Sequence, residues 1–256
     1  MIGLMPQTNV DEVLAKIARF EQFGDNDSHV VFEKKSLQRE IQNDIKKLKE
    51  VSISDGYMTD MIFNGIQKNE AKCRSYYELA KQQGAYSRQL DWNFALSLGY
   101  LGYESEASDI FLDLVDRDLG EPEIYRGAST HFSDMGYFDK AVQVLEKGLK
   151  LKDCLITERL IVCEKLANFV DQLNIPKNEL NRYMSTVQEF QQKKGLYFKD
   201  RRYDFFDDGH ETIACIEINT GKSIDDVNRL NDELFDLLAS KDFTADIALN
   251  FVTMFR

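Results

Sequence analysis

Two stretches of the chain match each other when one is shifted by 34 residues along the other. The matching positions are Leu98 with Phe132, Gly102 with Gly136, Tyr103 with Tyr137, Ala107 with Ala141, and Phe111 with Leu145. A period of this length with a helical apolar pattern is typical of stacked helical hairpins. The glycine-tyrosine pair predicts the turn between two helices. The alanine that follows lets the second helix pass close to the first, and the larger side chain one helical turn later fills the gap.

These residues resemble the tetratricopeptide repeat family. With the two alanines at the twentieth position of that repeat, the two units begin at Arg88 and Pro122, and the resemblance is clearest over residues 88–155. The resemblance implies a superhelical stack of helical hairpins whose concave groove binds a segment of a partner protein.

Three positions depart from the family pattern. Asp91 stands where the first repeat has an aromatic residue, and Trp92 follows one place late. Gly148 stands where the second repeat has a small alanine. We expect Trp92 either to face the groove or to take over the core role that Asp91 cannot fill.

The resemblance also implies which residues line the groove, because the family uses the second, fifth, ninth, twelfth and thirteenth positions of each first helix. In this chain they are Gln89, Trp92, Leu96, Gly99 and Tyr100, followed by Glu123, Arg126, Thr130, Ser133 and Asp134. Trp, Tyr and Arg are enriched among the residues that dominate binding energy at protein interfaces. The predicted partner-binding residues are therefore Gln89, Trp92, Leu96, Tyr100, Glu123, Arg126, Thr130 and Asp134.

Helical periodicity continues on both sides of the two clear repeats. It predicts helices over about 10–22, 30–51, 57–67, 70–83, 156–173 and 176–194. The second of these has an apolar stripe at Phe32, Leu37, Ile41, Ile45 and Leu48, and a break is expected after it at Ser54-Asp55-Gly56. The pair at 57–83 is interpreted as a degenerate repeat that precedes the clear two.

The pattern changes after Gly195, where aromatic and β-branched residues replace the helical period. Residues 212–218 predict a strand, Ser223 with Asp226 predicts a capped helix from Ile224 to about Ser240, and residues 248–255 predict a last strand. The predicted fold is therefore mainly α, with a TPR-like stack over residues 1–195 and a small β-β-α-β module over 196–256. A module of this size is expected to lean on the last helical hairpin or on a second copy of itself.

Two motifs in the C-terminal module could carry chemistry. Residues 219–223 lie between a strand and a helix, as a phosphate loop would, but the glycine needed five residues before Gly221 is Ile216. Asp207, Asp208, His210 and Glu217 cluster near a hairpin, as in a metal-dependent nuclease, but Asn219 stands where that arrangement needs lysine. The sequence accordingly predicts a turn with a capped helix, no cofactor and no metal site, and no catalytic residues.

Charge and composition limit the partners. The formal net charge of −12 argues against nucleic acid, which needs a basic surface, and favours a protein partner with a basic surface. No apolar run reaches the length of a membrane span, and residues 1–6 lack the blocks of a signal peptide. The four cysteines include no C-x-x-C pair and are interpreted as reduced core residues. These observations predict a cytoplasmic protein that does not associate with membranes.

The sequence leaves several functions open. The first is an adaptor or scaffold that binds a partner segment in the groove, and a specialised version is an acidic inhibitor or immunity-type protein that masks a basic partner. The second is metal-dependent nuclease activity in the C-terminal module. The third is a homodimer formed when residues 249–255 pair with their copy.

Overall fold

The computed structural model describes residues 10–21, 23, 28–117, 120–196, 201–207 and 212–256. The chain is mainly helical, with a small three-stranded sheet in its C-terminal part. The chain divides into two compact units after Arg117. Within the described ranges, none of the helices is both long enough and apolar enough to cross a membrane.

The described part of the first unit consists of six helices. They are α1 (Val10–Glu21), α2 (Ser28–Val51), α3 (Ile53–Ile66), α4 (Glu70–Gln82), α5 (Ser87–Leu101) and α6 (Glu104–Asp116). Three helices share one core, formed by Val13, Ile17 and Phe20 of α1, Leu37, Ile41 and Ile45 of α2, and Phe63 of α3. The predicted apolar stripe of α2 is wrong at Phe32, which is 80% exposed. Five residues separate Phe32 from Leu37, and at 3.6 residues per turn that spacing rotates Phe32 about 140° away from the buried face.

The predicted end of α2 at Val51 is confirmed. The break expected at Ser54-Asp55-Gly56 is wrong, because these residues lie in the first turn of α3. The break falls at Ser52, whose carbonyl accepts a hydrogen bond of 3.0 Å from the Gly56 amide. A Cβ atom at position 56 would overlap the side chain of Lys49. Glycine is therefore required here for the close approach of two helices, rather than for a turn.

The turns after α5 and α7 have the same geometry. Gly102 and Gly136 adopt left-handed φ angles of 89° and 77°. In both turns the amide of the next residue, Tyr103 or Tyr137, donates to the carbonyl five residues earlier, at 2.9 and 2.8 Å. This Schellman motif satisfies helix-end carbonyls, and it needs a left-handed residue that glycine provides at little cost. The repeated glycine-tyrosine pair thus marks a repeated helix end, as predicted.

A third turn with this geometry lies 34 residues before Gly102. Lys68 adopts φ 55°, and the amide of Asn69 donates to the carbonyl five residues earlier, at 2.9 Å. Cys73 occupies the position that corresponds to Ala107, and it is fully buried. The hairpin of α3 and α4 therefore ends its first helix in the same way as the two later hairpins. The assembly of four hairpins into one superhelix stays a prediction.

In each of the two clear repeats, the alanine of the second helix and the larger apolar residue four positions later are buried, as predicted. Ala107, Phe111, Ala141 and Leu145 all have 0% exposure. Packing explains why glycine occupies position 148, because a Cβ atom there would lie 2.9 Å from the ring of Tyr125. This is tighter than side chains tolerate, so the large aromatic ring excludes the alanine of the family pattern.

The described part of the second unit begins with four helices and continues into the sheet. Its elements are α7 (Pro122–Asp134), α8 (Phe138–Gly148), a 3₁₀ turn (Leu149–Leu151), α9 (Cys154–Gln172), α10 (Lys177–Lys193), β1 (Arg201–Asp207), β2 (Thr212–Ile218), α11 (Ile224–Ala239), α12 (Ala245–Asn250) and β3 (Phe251–Phe255). The strand at 212–218 and the capped helix α11 match the sequence prediction. The last predicted strand, 248–255, is wrong at residues 248–250, which belong to α12, and is confirmed at 251–255. A short apolar run does not by itself distinguish helix from strand.

The sheet packs on the preceding helical hairpin. β2 lies at its centre, antiparallel to β1 and parallel to β3, and α11 and α12 form the crossover that parallel pairing requires. The rings of Phe169 on α9 and Phe190 on α10 lie 5.8 and 5.7 Å from those of Phe251 and Phe255 on β3. The C-terminal strands therefore share one core with α9 and α10, and the boundary predicted at residue 195 falls inside the second unit.

Candidate functional site

The predicted groove residues of the first unit differ in how much surface they offer to a partner. On α5, Gln89 is exposed, Trp92 and Leu96 are half-buried, and Tyr100 is only 7% exposed. The edge of the Trp92 ring packs against the ring of Phe111 at 5.1 Å. Trp92 therefore contributes to the core and keeps part of its surface accessible, while Tyr100 has little surface left for a partner.

Asp91, the departure from the family pattern, is the centre of a hydrogen-bonded cluster in the first unit. Its carboxylate accepts from the hydroxyl of Tyr77 and from a guanidinium nitrogen of Arg117, each at 2.8 Å. The Tyr77 ring stacks on Phe94 with centroids 3.9 Å apart. Burial and the charge of Asp91 raise the pKa of Tyr77, so its hydroxyl stays protonated and donates. Because these polar groups satisfy one another, we interpret this cluster as structural.

The predicted groove residues of the second unit all lie on α7. Glu123 is exposed, and Arg126, Thr130 and Asp134 are half-buried. Arg126 donates to the Glu123 carboxylate at 2.9 Å, and the hydroxyl of Thr130 donates to the Arg126 carbonyl at 2.8 Å. Asp134 accepts a hydrogen bond of 3.1 Å from the hydroxyl of Tyr203 on β1. A hydrogen bond therefore connects the C-terminal end of α7 to the first strand of the sheet.

Arginines line a cavity of about 500 Å³ in the second unit, bordered by α7, α9 and β1. Four of its lining residues are arginines: Arg126 on α7, Arg159 on α9, and Arg201 and Arg202 on β1. The single acidic residue of the lining is Glu158. The cavity is therefore lined by an excess of positive charge, although the whole chain carries a formal charge of −12.

Neutral acceptors hold Arg201 in place at this cavity. Its side chain is only 4% exposed. Two of its nitrogens donate to the side-chain oxygen of Gln191 at 3.1 and 2.6 Å, and a third donates to the backbone carbonyl of Asp134 at 2.9 Å. The Asp134 carboxylate lies farther away, at 3.7 Å. These contacts fix the position of the guanidinium, and the Asp134 carboxylate forms an ion pair with it.

Arg159 has a buried nitrogen that no acceptor reaches. Its Nε atom is enclosed and has no hydrogen-bond partner among the described residues. Two neutral side chains, Cys163 and Tyr203, line the same cavity. Burial raises the pKa of the Cys163 thiol, and burial together with the Asp134 charge raises the pKa of Tyr203 well above its ordinary value. Neither side chain therefore supplies a negative charge to balance Arg159.

The C-terminal motifs have structural roles. Ser223 accepts a hydrogen bond of 3.3 Å from the Asp226 amide and caps α11, as predicted. Glu217 is 6% exposed, and its carboxylate lies 3.0 Å from a guanidinium nitrogen of Arg256. Asp208 and His210 of the predicted nuclease cluster lie outside the described residues. Within those residues no group of three or more His, Cys, Asp or Glu side chains has a geometry that could hold a metal ion.

Comparison of the chain with models of protein families, with curated proteins and with solved structures found no match. The site therefore has to be interpreted from its own geometry. The sequence predicted Arg126, Ser133 and Asp134 as groove residues, but it gave no prediction for Arg159 and Arg201. One signal was present in the sequence, since Arg201 and Arg202 are consecutive in a strand of an otherwise acidic chain.

Proposed function

We propose that the chain is a protein-binding scaffold that receives a segment of a partner protein along α7 and the cavity beside it. The observation that carries the proposal is the position of Arg126, which the sequence predicts to face a partner and which lines the cavity of about 500 Å³. A cavity of this volume lies within the range of known ligand pockets and has room for a few side chains of a peptide.

The surface around this cavity also suits a protein ligand. Leu155 lines the cavity and is 49% exposed, so it offers apolar contact area beside the charged groups. The side chain of Arg126 is 25% exposed, and its guanidinium forms ion pairs with Glu123 at 2.9 Å and with Asp153 at 3.5 Å. Arginine is enriched among the residues that dominate interface energy, and burial of the exposed leucine by a partner would add a hydrophobic contribution. The charge of −12 favours a partner whose remaining contact surface is basic.

The test compares two arginines that share one kind of ion pair but lie on different helices, only one of them at the cavity. Arg126 on α7 and Arg229 on α11 each form an ion pair with an acidic residue three positions earlier, at 2.9 and 2.8 Å. Proteins captured by the intact chain would be purified and titrated calorimetrically against the intact chain and against Arg126→Glu and Arg229→Glu.

We expect a purified partner to bind with 1:1 stoichiometry, and Arg126→Glu to weaken binding by about tenfold or more, since charge reversal places a carboxylate in the contact. Arg229→Glu should bind like the intact chain. The proposal is wrong if every purified partner binds both variants equally well, or if the intact chain binds no protein directly.

A further inference from the structure

We infer that the arginine-lined cavity of the second unit binds an anionic oxygen group, a carboxylate or a phosphate ester, on an internal side chain of the partner's peptide segment. This inference rests on the proposed function for the source of the ligand. The chemistry of the ligand is argued separately, from the side chains around the cavity.

The first argument concerns charge. Three of the four arginines have acceptors nearby: Arg126 is paired with Glu123, Arg202 lies 3.3 Å from the Asp204 carboxylate, and Arg201 is held mainly by an amide oxygen and a backbone carbonyl. Arg159 makes no ion pair within the described ranges, and its enclosed Nε atom has no acceptor. A buried donor without an acceptor among the described residues is uncommon in folded proteins, so this Nε atom calls for an explanation.

The second argument concerns geometry. A guanidinium presents its donors as a planar fork that matches the two oxygens of a carboxylate or a phosphate. Four arginines line the cavity, and each of them carries such a group. Ser133, Cys163 and Tyr203, which also line the cavity, are neutral polar side chains, so an incoming anion meets no negative charge from them. The remaining acidic residue of the lining, Glu158, is exposed to solvent.

The third argument favours a peptide over a free ion. Leu155 and Val162 belong to the same lining as the arginines, and Leu155 is 49% exposed. A free inorganic anion would leave these aliphatic side chains in contact with water. A peptide can place an apolar neighbour of its acidic side chain against them, and this contact adds to the charge interaction.

The test uses blocked peptides of one sequence, acetyl-Gly-Leu-X-Leu-Gly-amide, in which X is glutamate, phosphoserine, glutamine or serine. Each is titrated calorimetrically into the intact chain, with inorganic phosphate and acetate as free-anion probes. We expect the glutamate or the phosphoserine peptide to bind about tenfold more tightly than its neutral counterpart, and more tightly than the matching free anion. The stronger of the two charged peptides identifies the anionic group.

A matched pair of variants on α9 tests whether this binding takes place at the cavity. Arg159→Gln and Lys165→Gln each remove one positive charge from the same helix, and Lys165 is exposed and does not line the cavity. We expect Arg159→Gln to abolish the preference for charged peptides and Lys165→Gln to preserve it. Arg159→Lys keeps the charge without the fork and should give intermediate affinity. Since Arg159 makes no ion pair with the residues that the structure describes, the melting temperature of Arg159→Gln should stay close to that of the intact chain.

Three results would overturn the inference: equal binding of charged and neutral peptides, equal behaviour of Arg159→Gln and Lys165→Gln, or no binding of any charged peptide. If a partner binds the intact chain and Arg159→Gln but does not bind Arg126→Glu, the proposed function is upheld and the inference is refuted. If charged peptides bind only when Arg159 is present, and no protein partner binds, the anion site is upheld and the proposed scaffold function is refuted.

Discussion

Replacement of Gly136 by alanine should destabilise the second unit through two separable effects. The first is backbone strain, because Gly136 adopts φ 77°, where an L-residue costs about 1–2 kcal/mol. The second is crowding, because the added Cβ atom would lie 3.0 Å from Leu180 and 3.2 Å from Met184, both on α10. An extra methyl group in a tight core typically costs about 1–3 kcal/mol. We therefore expect a total loss of about 2–5 kcal/mol in the free energy of unfolding.

Gly221 supplies the matched control in the same unit. It adopts a similar φ of 67°, but a Cβ atom added there meets no heavy atom within 4 Å. Gly221→Ala should therefore cost only the backbone term of about 1–2 kcal/mol. Guanidinium denaturation followed by far-ultraviolet circular dichroism measures both values, and a shared m-value would show that the unfolded states are comparable. Equal losses in the two variants would refute the argument that α10 closes over the turn at Gly136.

Two further predictions concern the cap of α11 and a histidine on α7. The Ser223 hydroxyl accepts from the Asp226 amide and donates to the Asp226 carboxylate. Ser223→Ala should cost about 1 kcal/mol because it removes both bonds, and Ser223→Asp should cost less because it keeps the acceptor. Burial and the nearby Lys140 lower the pKa of His131 to about 4. Its imidazole is protonated near pH 6.5 in the unfolded chain but stays neutral in the fold, so stability should fall as pH drops from 6.5 towards 4.

The measurements for these two predictions differ. The cap is tested by the same chemical denaturation, and equal losses for the alanine and aspartate variants would contradict a role of the side-chain acceptor. For His131, a titration of the imidazole protons by nuclear magnetic resonance gives the pKa directly. A midpoint near 6.5 would show that the ring is solvated, and the predicted loss of stability would then have to come from other groups.

Much of the helical framework could be predicted from local pattern. The register of Gly102 with Gly136 predicted two helix ends, and both adopt the same left-handed turn. The buried positions Ala107 and Ala141 followed from the same register. These features are local in origin, because a helix end depends on the conformation of a few consecutive residues and on their own hydrogen bonds. For the same reason Ser223 could be recognised as a cap before the fold was known.

Sequence predictions fail where contacts with distant parts of the chain decide which residues are buried or which element forms. Phe32 fits a loosely spaced apolar stripe, but the face that is buried is set by α1 and α3. Residues 248–250 were predicted as the start of the last strand, yet they end the helix α12, which belongs to the crossover that returns the chain to pair with β2 in parallel. The sequence left Trp92 open between the groove and the core, and its position beside Phe111 gives it a share in the core.

The sequence by itself determined where helices end, which small residues are buried beneath their neighbours, and that the chain is mainly helical, because those properties depend on periodicity and on backbone conformation. Only the tertiary structure decided that Arg126, Arg159 and Arg201 line one cavity. These residues are far apart along the chain and carry no shared motif, and they meet because the strand β1 packs beside α7 and α9. The charge of a cavity is a property of the side chains that folding brings together, and an acidic chain can therefore enclose a basic site.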